Sequence, residues 1–424
     1  MNHDISLKDK CEIATQEEGN RFVGVKVSIT DVKIFFPLGY QLPKSDEEIH
    51  TDIFNLLNIL NLFKAKNDYL IPHSSFKSQK KLNFPLNSYI EVINYYMENG
   101  YYIENEYAYS TKSKGKINWA KTIKNQKPLL QEDFKNKRTY PLYLSFTVKE
   151  LNTNLNNDIT NIHKYCVFES FEKIGWLFTS HIPPKPIEKF NEMKFLSVLH
   201  KKLNNTNNDV KRKLFYAMIE IIKYCANTKD DEEFFFGTDR FEYIWEKLID
   251  ATFGVKNKND YFPRAEWNLL YNKNKQTHPL QPDTIMIHGE KIFVIDSKYY
   301  KYGETKKPKD LPNSSSISKQ ITYAEYIKEN KNFNEDSIFN AFLMPYNMEN
   351  NLFDNDEPFV NIGEAISKWK RNGFQYEHVQ GILVDVRYLM HSYNKNSNNN
   401  IQRLAEVIEK AYEENINHFG NNAV

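Results

Sequence analysis

The chain has 424 residues, of which 40% are hydrophobic, 14% aromatic and 26% charged, with a formal net charge of +1. This length and apolar content fit a globular protein of two or three domains. The balanced charge excludes a chain-wide basic field for a polyanion, although a local patch can still serve one. No run of about 18 apolar residues occurs, so no membrane span is expected, and the polar N-terminus does not read as a signal peptide. Cys11, Cys166 and Cys225 are far apart without metal-ligand spacing. They point to reduced thiols and a cytoplasmic protein.

In chain order, a polar leader to about Asn20 precedes alternating apolar residues over Phe22 to Phe36, which predict strands. Glu47 to Phe63 carries Ile53, Leu56, Leu57, Leu60 and Phe63 on one side, an amphipathic helix. A basic loop, His73 to Lys81, is followed by a helix over Tyr89 to Met97 and strands over Tyr101 to Tyr109 and Tyr140 to Thr147. Helices are predicted over Asn157 to Trp176 and Asp209 to Cys225, then an acidic linker, Lys229 to Glu233. A helix through Ile249 follows an N-cap at Thr238 or Asp239. Next come a strand at Trp267 to Tyr271, two strands over 284–295, a basic loop, a helix from Ser316 to Glu329, and strands at Ile338 to Met344 and Ile382 to Val386. After an Asn-rich loop, Asn394 to Asn400, a last helix spans Ile401 to Glu414. The expected organisation is an α+β N-terminal region over 1–150, a helical connector over 151–234, and a C-terminal domain over 235–424. That last domain has the order of a mixed sheet flanked by helices.

The informative stretch is Gln281 to Lys298. Two β-branched apolar runs flank Gly289-Glu290, the signature of a two-residue type II′ hairpin. With that loop, His288 pairs with Lys291 and Asp283 falls opposite Asp296, with Lys298 two residues further on the same face. Like charges set across a strand pair destabilise it, and such a pair is expected to hold a cation. Hard oxygen ligands with open positions suit Mg²⁺ or Mn²⁺. The carbonyl of Ser297 is a further candidate ligand. Hydrolysis of a phosphodiester needs that set: carboxylates to hold the ion, and a lysine to position or deprotonate water and neutralise charge.

A third acid is expected from the preceding helix. Glu246, beside Trp245, is the first choice and Glu242 the second; taken alone, either is more often a solvated helix glutamate. Gln320 and Tyr323, three apart on the next helix, project together towards the site beside Lys319, as candidates to contact phosphate or the ligand sphere. Lys301, Lys306, Lys307 and Lys309 form a basic loop suited to a DNA backbone. His278 and His288 lack a second histidine at ligand spacing, so zinc is not expected. No Gly-Lys-Ser/Thr loop is present, so the chain should not hydrolyse a nucleotide itself.

Pro282-Asp283 followed by Asp296-Ser297-Lys298 resembles the PD-(D/E)XK nuclease signature. Together with Phe241-x-x-x-Trp245-Glu246, His278-Pro279-Leu280-Gln281, Tyr299-Tyr300, Ser318-Lys319-Gln320-Ile321-Thr322-Tyr323 and Asn340-Ala341-Phe342-Leu343-x-Pro345, it resembles the LlaJI family of restriction endonucleases. That resemblance implies an α/β chain with a PD-(D/E)XK core. It also implies Mg²⁺-dependent, site-specific cleavage of double-stranded DNA, with Asp283, Asp296 and Lys298 catalytic and Glu246 an added acid. The family's nuclease subunits resemble the McrC component of GTP-dependent restriction systems, implying a separate McrB-like GTPase subunit that also recognises DNA, and an oligomeric assembly. Residues 1–150 would then dock on the partner, with Lys114-Gly115-Lys116-Ile117 as a contact tip. A repair or recombination nuclease of the same chemistry, and a non-catalytic adaptor that activates a GTPase, are the competing readings.

Overall fold

The computed structural model describes residues 7–17, 19–27, 32–63, 84–133, 135, 138–153, 157–179, 181–227, 234–271, 273, 275–331, 333–369, 373–393 and 397–420. The basic stretch His73 to Lys81, the acidic run Lys229 to Glu233 and the first part of the Asn-rich loop lie outside the described residues.

The first segment supplies β1 (Cys11–Ile13), β2 (Val23–Val27), β3 (Val32–Phe36) and α1 (Asp46–Leu62). The second supplies α2 (Leu86–Asn99), β4 (Asn105–Lys112), α3 (Trp119–Asn125), β5 (Leu129–Asp133), β6 (Arg138–Leu142), β7 (Phe146–Thr153), α4 (Asp158–Ile174), α5 (Glu192–Asn204) and α6 (Asp209–Asn227). The third begins with β8 (Phe234–Thr238), α7 (Phe241–Phe253), β9 (Glu266–Trp267), β10 (Lys275–Gln276), β11 (Thr284–His288) and β12 (Lys291–Ser297). It ends with α8 (Tyr302–Thr305), α9 (Ser314–Asn330), β13 (Ile338–Tyr346), β14 (Phe359–Ala365), β15 (Val379–Asp385), α10 (Val386–Ser392) and α11 (Ser397–Gly420). The result is a mixed α/β protein.

The boundary expected at 150 is not where the chain divides. Residues 1–80 and 233–424 form one compact unit, and residues 81–232 form the other. The physical reason is long-range pairing, which local periodicity does not register. β2 pairs antiparallel with β8, Val23 opposite Thr238 through Val27 opposite Phe234, giving a sheet of order β1-β3-β2-β8. Asp52 on α1 is buried and accepts from Arg387 Nε at 2.8 Å, with His391 Nε2 at 2.7 Å, both on α10. The residues read as a leader include β1, which runs parallel to β3. Nor is 151–234 a connector. In the second unit, His163 Nδ1 of α4 accepts from the Tyr102 backbone N–H at 2.9 Å, and Ser88 of α2 donates to Glu220 of α6.

The larger unit is built on a five-stranded sheet of order β11-β12-β13-β15-β14. β12, β13 and β15 run parallel, with antiparallel β11 and β14 at the edges. Ile292 and Val294 alternate with Phe293, so they face opposite sides of the sheet. On one side Ile285, Ile292 and Val294 pack with Tyr323, Ala324 and Ile327 of α9. On the other, Phe293 stacks on Phe339 at 4.9 Å, and Phe339 meets Tyr412 of α11. β13 is buried over its whole length, as a parallel strand covered on both faces must be. The strand expected at Trp267 to Tyr271 is not part of this sheet: only Glu266 and Trp267 pair, with Gln276 and Lys275, in a separate exposed hairpin.

The Asp52 cluster yields a stability prediction. Burial alone would raise the Asp52 carboxyl, but the bonds from His391 and Arg387 outweigh it and hold it below the usual carboxylate range. Its contribution is therefore complete at neutral pH and lost as acid protonates it. Arg387→Ala should destabilise the protein by about 3 kcal/mol at pH 7, with the difference from wild type shrinking as the pH falls through the folded pKa of Asp52, as read by urea denaturation.

Candidate active site

The hairpin forms in the expected register. Ile287 pairs with Ile292 and His288 with Lys291, closing on Gly289-Glu290. Gly289 has φ +61 whereas Glu290 is not at positive φ, as a type II′ loop requires and a type I′ loop does not. At the open end Thr284 pairs with Ile295, which sets Asp283 against Asp296. The face that carries Ile285 and Val294 into the α9 interface thus continues, two residues on, as Asp283 and Asp296.

Contacts fix each member of this group. Asp283 Oδ2 accepts from the Ser297 backbone N–H at 2.8 Å. Lys298 Nζ lies 2.5 Å from Asp296 Oδ2, and its own backbone N–H donates to the Leu343 carbonyl at 2.9 Å. The same carbonyl accepts from the fully buried Trp245 indole at 3.3 Å, which docks α7 and sets Glu246 beside the acids. Beyond Lys298, Gly303 lets the chain lie against β13: a Cβ there would stand 2.1 Å from the Pro345 carbonyl oxygen.

The electrostatics follow from this crowding. Burial, then the charges of Asp296 and Glu246, push Asp283 up to about 7 against the opposing Ser297 N–H and Lys298. Burial and Asp296 likewise raise Glu246. Of the two helix acids weighed from sequence, Glu246 is among the leading charges that raise Asp283. Burial alone would lower the Lys298 ammonium, but Asp296 and then Asp283 outweigh it and hold it above its ordinary value. Lys319 is raised by its bond to Tyr323 and, over a longer range, by Asp296 and Asp283.

Gln320 and Tyr323 sit differently from the sequence expectation. Gln320 is buried, and its Nε2 donates to the Val294 carbonyl at 2.6 Å, while its Oε1 has no hydrogen-bond partner among the described residues. The Tyr323 hydroxyl donates to the Gln281 carbonyl at 3.1 Å. Gln320 therefore anchors β12, which carries Asp296, and Tyr323 anchors the segment leading into Asp283, instead of both projecting freely. Of the basic stretch, Lys301 faces Glu17 at 3.5 Å and Lys306 donates to the Leu352 carbonyl at 3.0 Å; Lys307 and Lys309 are exposed. His278 is exposed and His288 half-buried at the far end of the hairpin. In the other unit, Gly115 folds onto Val148, and Lys116 accepts from the Lys149 backbone N–H at 2.9 Å.

Sequence reasoning missed Lys258. Its ammonium donates to the Asp283 carbonyl at 2.6 Å and to Asp250 Oδ2 at 2.8 Å. Asp250 lies one helical turn beyond Glu246 on α7, so Lys258 ties the main chain of one acid to the helix of another. No local motif announces this bridge; only the fold brings the three residues together. Val255 N–H, donating to the Ile285 carbonyl at 2.8 Å, fastens the same loop to β11.

Among the described residues, no group of three or more His, Cys, Asp or Glu side chains is arranged to hold a metal ion by itself. The pair Asp283 and Asp296 nevertheless suits a cation that takes one or two carboxylates and completes its shell with water, as Mg²⁺ does. The charge excess agrees: Asp283 stays pushed up although Lys298 opposes it.

A family model described as LlaJI restriction endonuclease matches residues 22–363. The type II restriction enzyme BsuMI component YdjA of Bacillus subtilis (strain 168) is 26% identical over 274 residues, 60% of this chain and 56% of that protein. The chain thus matches little more than half of that relative's length. A refined half-complex from a tetradecameric assembly of Thermococcus gammatolerans McrB AAA+ hexamers with bound McrC aligns over 91% of this chain and 82% of that one. Its identity is 15% and its TM-score 0.39, a similarity too slight to bear on fold or partners.

Like-charge crowding predicts that this site destabilises the metal-free protein. Asp283 has a raised pKa, so its contribution to stability is present at low pH and lost as pH rises through about 7. Asp283→Asn should therefore raise the melting temperature in EDTA at pH 8 by about 2–4 °C. The gain should shrink steadily as the pH falls from 7 and vanish only near the ordinary carboxylate pKa of about 4, where Asp283 is protonated in the unfolded chain as well. A gain independent of pH would contradict the crowding.

Proposed function

Because this chain belongs to the LlaJI restriction endonuclease family, we propose that it is the metal-dependent nuclease subunit of a restriction system and hydrolyses phosphodiester bonds of double-stranded DNA. The observation that carries this reading is the facing pair Asp283 and Asp296, with Lys298 paired to Asp296 and Glu246 acting on Asp283. We read this constellation as a PD-(D/E)XK core.

In this reading Asp283 and Asp296, with the Ser297 carbonyl, would hold Mg²⁺ or Mn²⁺, and Glu246 would be the neighbouring acid. The ion, when bound, supplies charge stabilisation and an activated water. The chain's own residues do the rest. Lys298, held by Asp296, presents its ammonium to the phosphate oxygens as negative charge develops there. Gln320 and Tyr323 fix the backbones of β12 and of the segment before Asp283, so the donors keep their places. Lys258 fixes the carbonyl of Asp283 relative to α7. Lys307, Lys309 and Lys319 give the DNA backbone cationic contacts.

A GTPase subunit is the partner that the family resemblance implies, and it would supply recognition and timing. Residues 81–232 are the candidate docking unit, since residues 1–80 belong to the unit that holds the acids. That second unit exposes Trp119, Ile123, Leu130 and Leu142.

Two variants test the reading. Asp296→Ala should abolish Mg²⁺-dependent cleavage in the presence of the partner and GTP while the circular dichroism spectrum is retained; full cleavage by that variant would remove Asp296 from the chemistry. Lys258→Met should weaken Mn²⁺ binding by about tenfold, as removal of a residue supporting metal ligands does, and Lys258→Arg should restore part of it. Unchanged affinity in calorimetry would reduce Lys258 to a stabilising contact.

A further inference from the structure

Between α7 and β11 the chain departs from the larger unit as a short arm, residues 264–278. Its ladder is two residue pairs long, Glu266 with Gln276 and Trp267 with Lys275. Such a ribbon has little stability of its own. Its described residues from Arg264 to Gln276 are all exposed. Among them Trp267 is 63% exposed, Leu270 91% and Tyr271 94%. These large apolar side chains therefore serve no core. A soluble surface tolerates single exposed apolar residues, but their concentration on one protruding tip marks an interaction site.

The root of the arm is closed by hydrogen bonds. Leu280 N–H donates to the Pro263 carbonyl at 2.8 Å, and Thr277 N–H and Oγ1 both donate to the Ala265 carbonyl, at 2.9 and 2.8 Å. Phe262 is buried on one side of that neck, and Pro282 on the other. Leu280 precedes Asp283 by three residues, and the Gln281 between them is held by Tyr323. The arm thus grows from the same strand end that carries the acid pair.

Its charge indicates what it meets. Arg264, Lys273, Lys275 and His278 stand against the single acid Glu266, and Lys275 lies directly across the ladder from Trp267. Cationic side chains interleaved with exposed aromatics are the chemistry of a nucleic-acid contact: the cations take phosphates and the rings take base faces.

We propose that the 264–278 arm is a DNA-engaging wedge that sets its apolar tip, Leu270 and Tyr271 with Trp267, against base steps beside the phosphate to be cut, while Lys273 and Lys275 grip the backbone. This rests on the nuclease reading of the acid pair. Wedges of this type favour duplexes whose stacking is already weakened, because part of the unstacking is then already done.

The test is fluorescence anisotropy of the full chain in EDTA with two fluorescein-labelled 30-base-pair duplexes, one fully matched and one with a central mismatch. Wild type should bind the mismatched duplex about tenfold more tightly. The triple variant Trp267→Ala/Leu270→Ala/Tyr271→Ala should lose that preference at an unchanged melting temperature, since none of the three is buried. Lys273→Ala and Lys275→Ala should weaken both duplexes equally and flatten the salt dependence by about one unit each. A triple variant that retains the mismatch preference would overturn the wedge, as would one that binds DNA normally but no longer captures the GTPase subunit. Calorimetric titration of Mn²⁺ on the same proteins, exchanged into EDTA-free buffer, separates the two levels. Intact Mn²⁺ binding with arm variants that bind both duplexes as wild type does removes only the wedge. A wild-type chain that binds neither Mn²⁺ nor DNA removes the nuclease reading with it.

Discussion

The larger unit depends on one unfavourable interaction, the confrontation of Asp283 and Asp296 across the open end of the β11–β12 hairpin. Two carboxylates opposite each other at the end of a buried strand repel, and burial sharpens that repulsion by removing the water that would screen it. The surroundings hold the pair in place regardless. Ser297 donates to one acid, Lys298 pairs with the other, and Lys258 ties the backbone of the first to α7. A fold that keeps such a pair, with Asp283 driven far from its ordinary pKa, is one in which the destabilised arrangement has a use.

The supporting structure follows from that requirement. Ile285, Ile292 and Val294 seat α9, whose Gln320 and Tyr323 then fasten the strand backbones on which the acids stand. Trp245, wholly buried and bonded to the Leu343 carbonyl, locks α7 so that Glu246 reaches the pair. The Leu343 carbonyl accepts from Lys298 N–H and from the Trp245 indole alike, so one main-chain oxygen links the lysine strand and the acidic helix. Such convergence of buried side chains on the main chain around the paired acids keeps this group in one geometry.

The hairpin was legible in sequence because strand register has period two and the loop is two residues long. Once Gly289-Glu290 is taken as the turn, the opposition of Asp283 and Asp296 follows by counting. Glu246 is marked in sequence by its place beside Trp245, and its charge is among those that raise Asp283. Three features were not legible. β2 pairs with β8, which follows the whole second unit in sequence, and no local pattern announces such a partner, so sequence alone places residues 1–80 within an N-terminal region over 1–150. Lys258 bridges Asp250 and Asp283, a contact created only when α7 and β11 meet. Trp267 to Tyr271 has the apolar composition of a strand, yet it forms an exposed tip: composition does not distinguish residues bound for the core from residues left for a partner.

The central claim is that the acid pair is a cation site. It is tested most directly by electron paramagnetic resonance of Mn²⁺ titrated into the full chain, with Mg²⁺ as competitor. The account predicts protein-bound Mn²⁺ that Mg²⁺ displaces, and its loss in Asp283→Asn/Asp296→Asn with the circular dichroism spectrum unchanged. Undiminished Mn²⁺ binding by that double variant would contradict it.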